Sequence, residues 1–351
     1  MTATVPGPPA AAAASPGVGA LRARRVGLVL LLLGLLGLAV AASLAIGARP
    51  IPLGLVWHAI WSPTGTEDDV VVRALRAPRT VLGVGVGSAL GVAGALMQGH
   101  TRNPLADPGL LGVSAGAAFL VVVGIHALGV TSLHGYVWFA VAGAFGASVL
   151  VFVLGSLGRG GPTPVALALA GVAVSAFLGA LTSALILADT ATLDAYRFWA
   201  VGSLAGRDAA VAGQVAPFLL AGLVLAAANA RALNLLVLGE DVARGLGQNL
   251  AVARWTGLVA ITLLTGAAVA ACGPIGFVGL VVPHVARFFT GPDHRWLLPA
   301  SGLAGAVLLL AADVLGRVVA RPGELQVGIV LGLVGAPFFV ALVRRRRLAQ
   351  L

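Results

Sequence analysis

The sequence predicts an all-α integral membrane protein of about ten spans, and three observations carry that expectation. Of its 351 residues, 59% are hydrophobic and only 10% charged, far more apolar surface than a soluble core can bury. The apolar residues gather in ten runs, most of them near the ~20 residues that a helix needs to cross a bilayer. The arginines lie mainly at the ends of those runs, as polar anchors of membrane spans do.

In chain order, residues 1–20 are dominated by Ala, Pro and Gly and carry no charge. They read as a disordered cytoplasmic tail ahead of a single transmembrane domain over 21–351. Arg22, Arg24 and Arg25 then precede Val26–Ile46, a run too long for a signal-peptide core and without a convincing cleavage site. It reads as a first span with its amino end inside the cell. Gly47 to Arg79, with Trp57, Trp61 and the acidic Glu67-Asp68-Asp69, follows outside. Further spans are expected over Thr80–Gln98, Leu110–Gly129, Tyr136–Leu157, Val165–Leu187, Ala209–Ala228, Trp255–Ala271, Ile275–Phe289, Leu298–Val319 and Leu325–Val343. Ile275–Phe289 is short for a crossing. With both termini inside, fourteen arginines fall on the inner side and eight on the outer, the sense of the positive-inside rule. Forty-nine glycines suit helices packed at close range.

Composition also excludes functions. All 22 basic residues are arginine, so the phosphate-binding loop that ends in lysine is absent and the chain is no self-contained ATPase. One cysteine, Cys272, rules out an intrachain disulfide framework and a cysteine zinc site. The net charge of +10 is scattered over span ends rather than gathered on one soluble face, which argues against nucleic acid.

Three polar stretches stand out. The loop 231–254, from Arg231 to Arg254, is too charged to cross a bilayer. Within it Glu240 and Asp241 open a short helical pattern in which Leu238, Val242 and Leu246 recur every four residues, with Gly239 and Gly247 at the cap positions. Glu240 and Arg244, four residues apart, can pair with each other or reach a partner. Gln98 to Gly116 holds Asn103-Pro104 and Asp107-Pro108 and reads as a cytoplasmic turn. In Cys272-Gly-Pro-Ile-Gly-Phe-Val-Gly-Leu-Val-Val-Pro-His-Val-Ala-Arg287, Gly273-Pro274 breaks one helix and Pro283 can kink the next.

Arg76-Ala-Pro-Arg79, Arg102-Asn-Pro-Leu-Ala-Asp-Pro108, Gly273-Pro-Ile-Gly-Phe-Val-Gly-Leu280, Pro283-His284, Ala312-Asp313 and Gly335-Ala-Pro-Phe-Phe339 together resemble the FecCD-type permeases of iron–siderophore and cobalamin ABC importers. The resemblance runs from about Ile51 to Leu342. It departs at Glu324-Leu-Gln-Val-Gly328, where such permeases usually carry proline at the position of Gln326.

The resemblance implies a type II ABC importer permease fold in which this chain pairs with a second permease subunit, identical or paralogous. Two separate ATPase subunits would bind ATP and Mg, and a soluble or lipid-anchored binding protein would deliver the substrate. The chain itself would perform no chemistry and bind no cofactor or metal, because iron would arrive wrapped in its chelator. A ferric siderophore is the expected cargo, with cobalamin or haem as alternatives. The resemblance also makes Leu238, Gly239, Glu240, Asp241, Ala243, Arg244, Leu246 and Gly247 the coupling helix that seats on the ATPase. It implies docking of the binding protein at Arg73, Arg76 and Arg317. Three residues apart, Arg73, Arg76 and Arg79 would share a face of a helix, while Asp313 can neutralise Arg317 from four residues before it. Thr163, Pro164, Ser175, Thr182 and Ser183 become pathway candidates on the fifth span, with the last span as the other wall. The expected location is a bacterial cytoplasmic membrane.

Two rival classes find less support. An ion-coupled secondary transporter needs ionisable groups deep in the membrane, and Asp313 is the only acid inside an expected span. A membrane-embedded transferase needs paired carboxylates or a similar polar site, and no expected span carries one.

Overall fold

The computed structural model describes residues 18–130, 132–157 and 163–344. Helix α1 spans Val18–Ala45, taking in the last three residues of the segment read as tail; the remainder of that tail lies outside the described residues. Two short helices follow, α2 (Leu53–Trp61) and α3 (Glu67–Val70), and a π-helical turn (Val71–Arg76) leads into α4 (Ala77–Thr101). After a 3-10 turn at Pro108–Leu111 come α5 (Val113–Leu128), α6 (Leu133–Ser156), α7 (Pro164–Ala188), α8 (Thr190–Ala200) and α9 (Ala209–Leu236). The short α10 (Glu240–Gly245) precedes α11 (Leu250–Cys272), α12 (Val278–Thr290), α13 (His294–Val319) and α14 (Val327–Arg344).

Seven of these helices are long and apolar enough to cross a membrane, and α5, α12 and α14 are shorter apolar helices. Together they match the ten expected spans. The end of α1, the start of α4 and the end of α13 meet at one face of the bundle, the face that carries α2. At the opposite face the end of α4 and the start of α11 meet α10.

The shortness of α12 has a local cause. Gly273 (φ 74°) and Phe277 (φ 68°) hold the chain out of helix, so α12 keeps only 13 residues, about 20 Å at ~1.5 Å per residue. The stretch read as a cytoplasmic turn folds back to meet this break. Ala106 is fully buried, and a cavity of about 30 Å³ is lined by Asp107 and Pro108 together with Gly279 and Leu90 from the middle of α4. The turn is therefore partly re-entrant, a correction to its placement in the aqueous loop. Irregular backbone at that depth is tolerable where protein surrounds it.

Helices α4 and α11 form the core, while α1 and α7 are largely uncovered. What brings α4 against α13 is a pair of small-residue motifs, Gly87-Ser-Ala-Leu-Gly91 and Ser301-Gly-Leu-Ala-Gly305. A methyl group on Gly91 would overlap the Ser301 carbonyl oxygen, and one on Gly305 that of Gly87. Apolar surface gives little driving force between helices in lipid, so association there rests on close backbone approach of this kind.

Candidate functional site

At the α10 face, Gly239 (φ 109°) and Gly247 (φ 81°) take backbone conformations that side chains disfavour. They let the chain leave α9, make one and a half turns, and enter α11. Ala243 is the fully buried residue of α10. The apolar stripe is not buried: Leu238, Val242 and Leu246 are 59%, 49% and 60% exposed. A contiguous apolar stripe left uncovered beside charged residues has the form of a protein-docking surface.

The helix is fastened from behind. Glu240 accepts from Arg254 Nη2 of α11 at 2.7 Å and lies 3.6 Å from Arg244 and 3.9 Å from Arg102. Arg244 also meets Asp241 at 3.2 Å. Sequence left open whether Glu240 pairs with Arg244 or with another chain; its shortest contact is to Arg254. Arg102, which ends α4 in the left-handed conformation (φ 51°), brings a second core helix to the same carboxylate. Neither Arg102 nor Arg254 is adjacent to Glu240 in sequence. The charged stretch 231–254 contains Arg254, whereas nothing near Glu240 in sequence announces Arg102. Between this cluster and the bundle lies a cavity of about 180 Å³ lined by Met97, His100, Leu236, Leu258 and Ile261.

At the α2 face the arginines take unequal roles. Because the π-turn over 71–76 winds more widely than an α-helix, Arg73, Arg76 and Arg79 do not share a face. Arg73 is exposed, whereas Arg76 is 7% exposed. The Arg76 guanidinium donates to the carbonyls of Leu44 (2.7 Å), Ala45 (2.8 Å) and Arg49 (2.5 Å). Arg317, 2% exposed, donates to the carbonyls of Ser43 (2.8 Å) and Ile46 (3.1 Å) and pairs with Asp313. These two arginines satisfy the carbonyls that the end of α1 leaves without helical partners. Docking of a partner on Arg76 and Arg317 is accordingly corrected: their donors are spent inside the chain, and Arg73 is the exposed one of the three.

Asp313 has a second arginine that sequence proximity did not reveal. Arg79 Nη2 reaches Asp313 at 2.8 Å while its Nη1 reaches Glu324 at 2.8 Å. Asp313 is 1% exposed, so the deepest acid of the chain is matched by two guanidiniums.

On the fifth span, Thr163 caps α7 by accepting from Ala166 N at 3.2 Å, and Pro164 opens it. The buried Thr182 hydroxyl donates to Leu178 O at 2.7 Å, a bond within its own helix. Ser175 is half-buried and Ser183 exposed. Around them α7 presents Val165, Leu169, Val172 and Phe177, and α14 presents Leu333 and Val334, all more than half exposed. These pathway candidates thus lie on or beside broad apolar faces left uncovered by the described residues.

Comparison with known proteins decides the family. The model of the FecCD transport family matches residues 35–345. The chain belongs to the FecCD transport family. It is 48% identical over 321 residues to the ferric enterobactin transport system permease protein of Escherichia coli strain K12, covering 91% of this chain and 94% of that one. It is 41% identical over 335 residues to the iron(3+)-hydroxamate import system permease protein of Bacillus subtilis strain 168, covering 92% and 85%. Its fold matches a solved metal-chelate type ABC transporter in an inward-facing conformation with a TM-score of 0.79 and 31% identity, over 92% of this chain and 99% of that one. This member of the FecCD family is therefore a multi-pass transport component that works with other ABC components, and the all-helical type II importer fold expected from sequence is the one it has.

Proposed function

We propose that this chain is the permease of an ATP-driven importer that carries a ferric siderophore or related iron chelate inward across a bacterial cytoplasmic membrane. The observation that carries the reading is the uncovered stripe Leu238, Val242 and Leu246 on a helix pinned to α4 and α11 through Glu240. A stiff helix with an apolar outer face transmits force from a separate ATPase to the core spans, and a chain without lysine supplies no phosphate loop of its own. In this reading the α10 face is cytoplasmic and seats two ATPase subunits. The α2 face receives the binding protein, with Arg73 steering acidic groups on its lobes. A second permease subunit covers the apolar faces of α7 and α14, leaving Ser175 and Ser183 near a smooth pathway. Cobalamin and haem are the alternative cargoes.

Reconstitution into proteoliposomes with the cognate ATPase and binding protein tests this. Uptake of radiolabelled ferric siderophore is expected to require ATP. Exchanging Val242 and Leu246 for Glu is expected to lower it at least about tenfold, because two charges would have to be buried against the ATPase. Replacing Glu240 by Ala is expected to leave the ATPase bound but weaken the link between hydrolysis and uptake. Uptake that follows a proton gradient and ignores ATP would overturn the reading, and preference for cobalamin or haem over every ferric siderophore would replace the cargo.

A further inference from the structure

A basin of about 490 Å³ opens at the α2 face between the α1–α2 connection, the π-turn and the segment 205–208. Five arginines line it, Arg49, Arg76, Arg79, Arg207 and Arg317, against two carboxylates, Asp208 and Glu324. Nearly all of this charge is committed. Arg76 and Arg317 cap the end of α1, and Arg79 holds Asp313 and Glu324. Asp208 accepts from Val211 N at 3.0 Å and faces His134 at 3.3 Å. Arg49 reaches Glu67 and Asp68 at 3.5 and 3.6 Å from an exposed side chain.

Arg207 is different. It has no hydrogen bond or ion pair with any described residue, and its Nε is buried without an acceptor. Burial pushes its pKa below the ordinary arginine value. A half-buried guanidinium without a counter-charge is costly, and the fold retains it on the wall of an open basin. The segment that carries it is held firmly: Ser203 N donates to Cys272 O at 2.7 Å, and Gly328 N donates to Gly202 O at 3.1 Å. These bonds place residues 202–203, just before Arg207, beside the start of α14, one wall of the pathway in the proposed importer.

We propose that this basin receives an anionic iron chelate, with Arg207 as the free cation that binds a chelate oxygen; the inference rests on the importer reading above. The volume lies in the range of small-molecule sites, roughly 300–1,000 Å³, and Val71, Ala74 and Leu75 give it an apolar side suited to an aromatic or aliphatic chelator skeleton. Guanidinium donors match the paired oxygens of catecholate and carboxylate chelators. A neutral chelate gains nothing from the uncompensated charge, so the basin selects by charge.

The test uses the complete permease–ATPase complex in nanodiscs at low salt, without binding protein. Its probes are trianionic ferric tris-catecholate and neutral ferric tris-acetohydroxamate, followed by retained radio-iron. The wild type is expected to bind the anionic complex about tenfold more tightly, the size of one charge-assisted hydrogen bond. Arg207→Gln is expected to erase that preference and Arg207→Lys to keep much of it, with both variants eluting as the wild type does. Equal binding of the two chelates, or an Arg207→Gln variant that keeps the preference, overturns the inference alone, provided the same complex, reconstituted into sealed proteoliposomes, imports iron chelate with ATP once binding protein is added. In a parallel pull-down with binding protein added, an Arg207→Gln variant that loses that association while its chelate preference is unchanged likewise overturns the inference and assigns Arg207 to the protein partner. Wild-type vesicles that import no iron chelate overturn the importer reading and the inference together.

Discussion

Replacing Asp313 by Ala is expected to cost about 3–5 kcal/mol of stability, the usual result of removing one partner from a buried ion pair. Asp313 is 1% exposed and Arg317 2% exposed, so water cannot take over as counter-charge, and Arg79 loses one of its two carboxylates at the same time. The damage should spread to the end of α1, because Arg317 positions its Nη1 on Ser43 O and Ile46 O while paired with Asp313. Thermal unfolding of the purified protein in detergent measures this, with Asp313→Asn as the variant of equal shape. Both are expected to melt well below the wild type. Replacing Asp313 and Arg317 together by Leu should recover part of the loss, since no Arg317 charge is then stranded. Recovery stays incomplete because the α1 carbonyls lose their donors and Arg79 remains with Glu324 alone. A wild-type melting temperature for Asp313→Asn would show that the acid is not what holds the two arginines.

How much of this was legible beforehand depended on the range of the interaction. Every apolar run became a helix, since membrane insertion is decided by composition over one segment. The small helix over 240–245 was also readable, because its signals, two glycines flanking Glu240-Asp241, lie within eight residues of one another. Asp313 and Arg317 were visible as an i,i+4 pair, but Arg79 lies 234 residues away in sequence, and nothing local announces it. The three-residue spacing of Arg73, Arg76 and Arg79 suggested one face only because an ordinary helical turn was assumed; the π-turn changes the register. Helices α2 and α8 went unread, the latter although Asp189 caps it by accepting from Thr192 N at 2.9 Å. The direction of the stripe on α10 depends on how α9 and α11 approach, and periodicity cannot fix which side of a short helix meets them.

Gly91→Leu is expected to be the most damaging packing change, leaving little or no folded, monodisperse protein. Overpacking a core usually costs about 1–3 kcal/mol because side chains can shift. Here the neighbour is backbone: a side chain on Gly91 would meet Ser301 carbonyl oxygen, and Gly87 and Gly305 bar relief by sliding one helix along the other. The axes of α4 and α13 would have to separate, and the contacts along both helices would go with them. Gly213→Leu on α9 is the control, since a Cβ there meets nothing within 4 Å, and it should purify as the wild type does. Equal yield and melting temperature for the two variants would show that α4 and α13 are held by something other than close approach. The crossing also bears on transport, because α4 carries Arg79 at the α2 face and ends in Arg102 beside Glu240 at the α10 face. In the proposed importer, a milder Gly91→Ala protein that still folds is therefore expected to import poorly relative to the ATP hydrolysed by the partner ATPase: a loosened α4 would no longer carry movement of α10 to the α2 face.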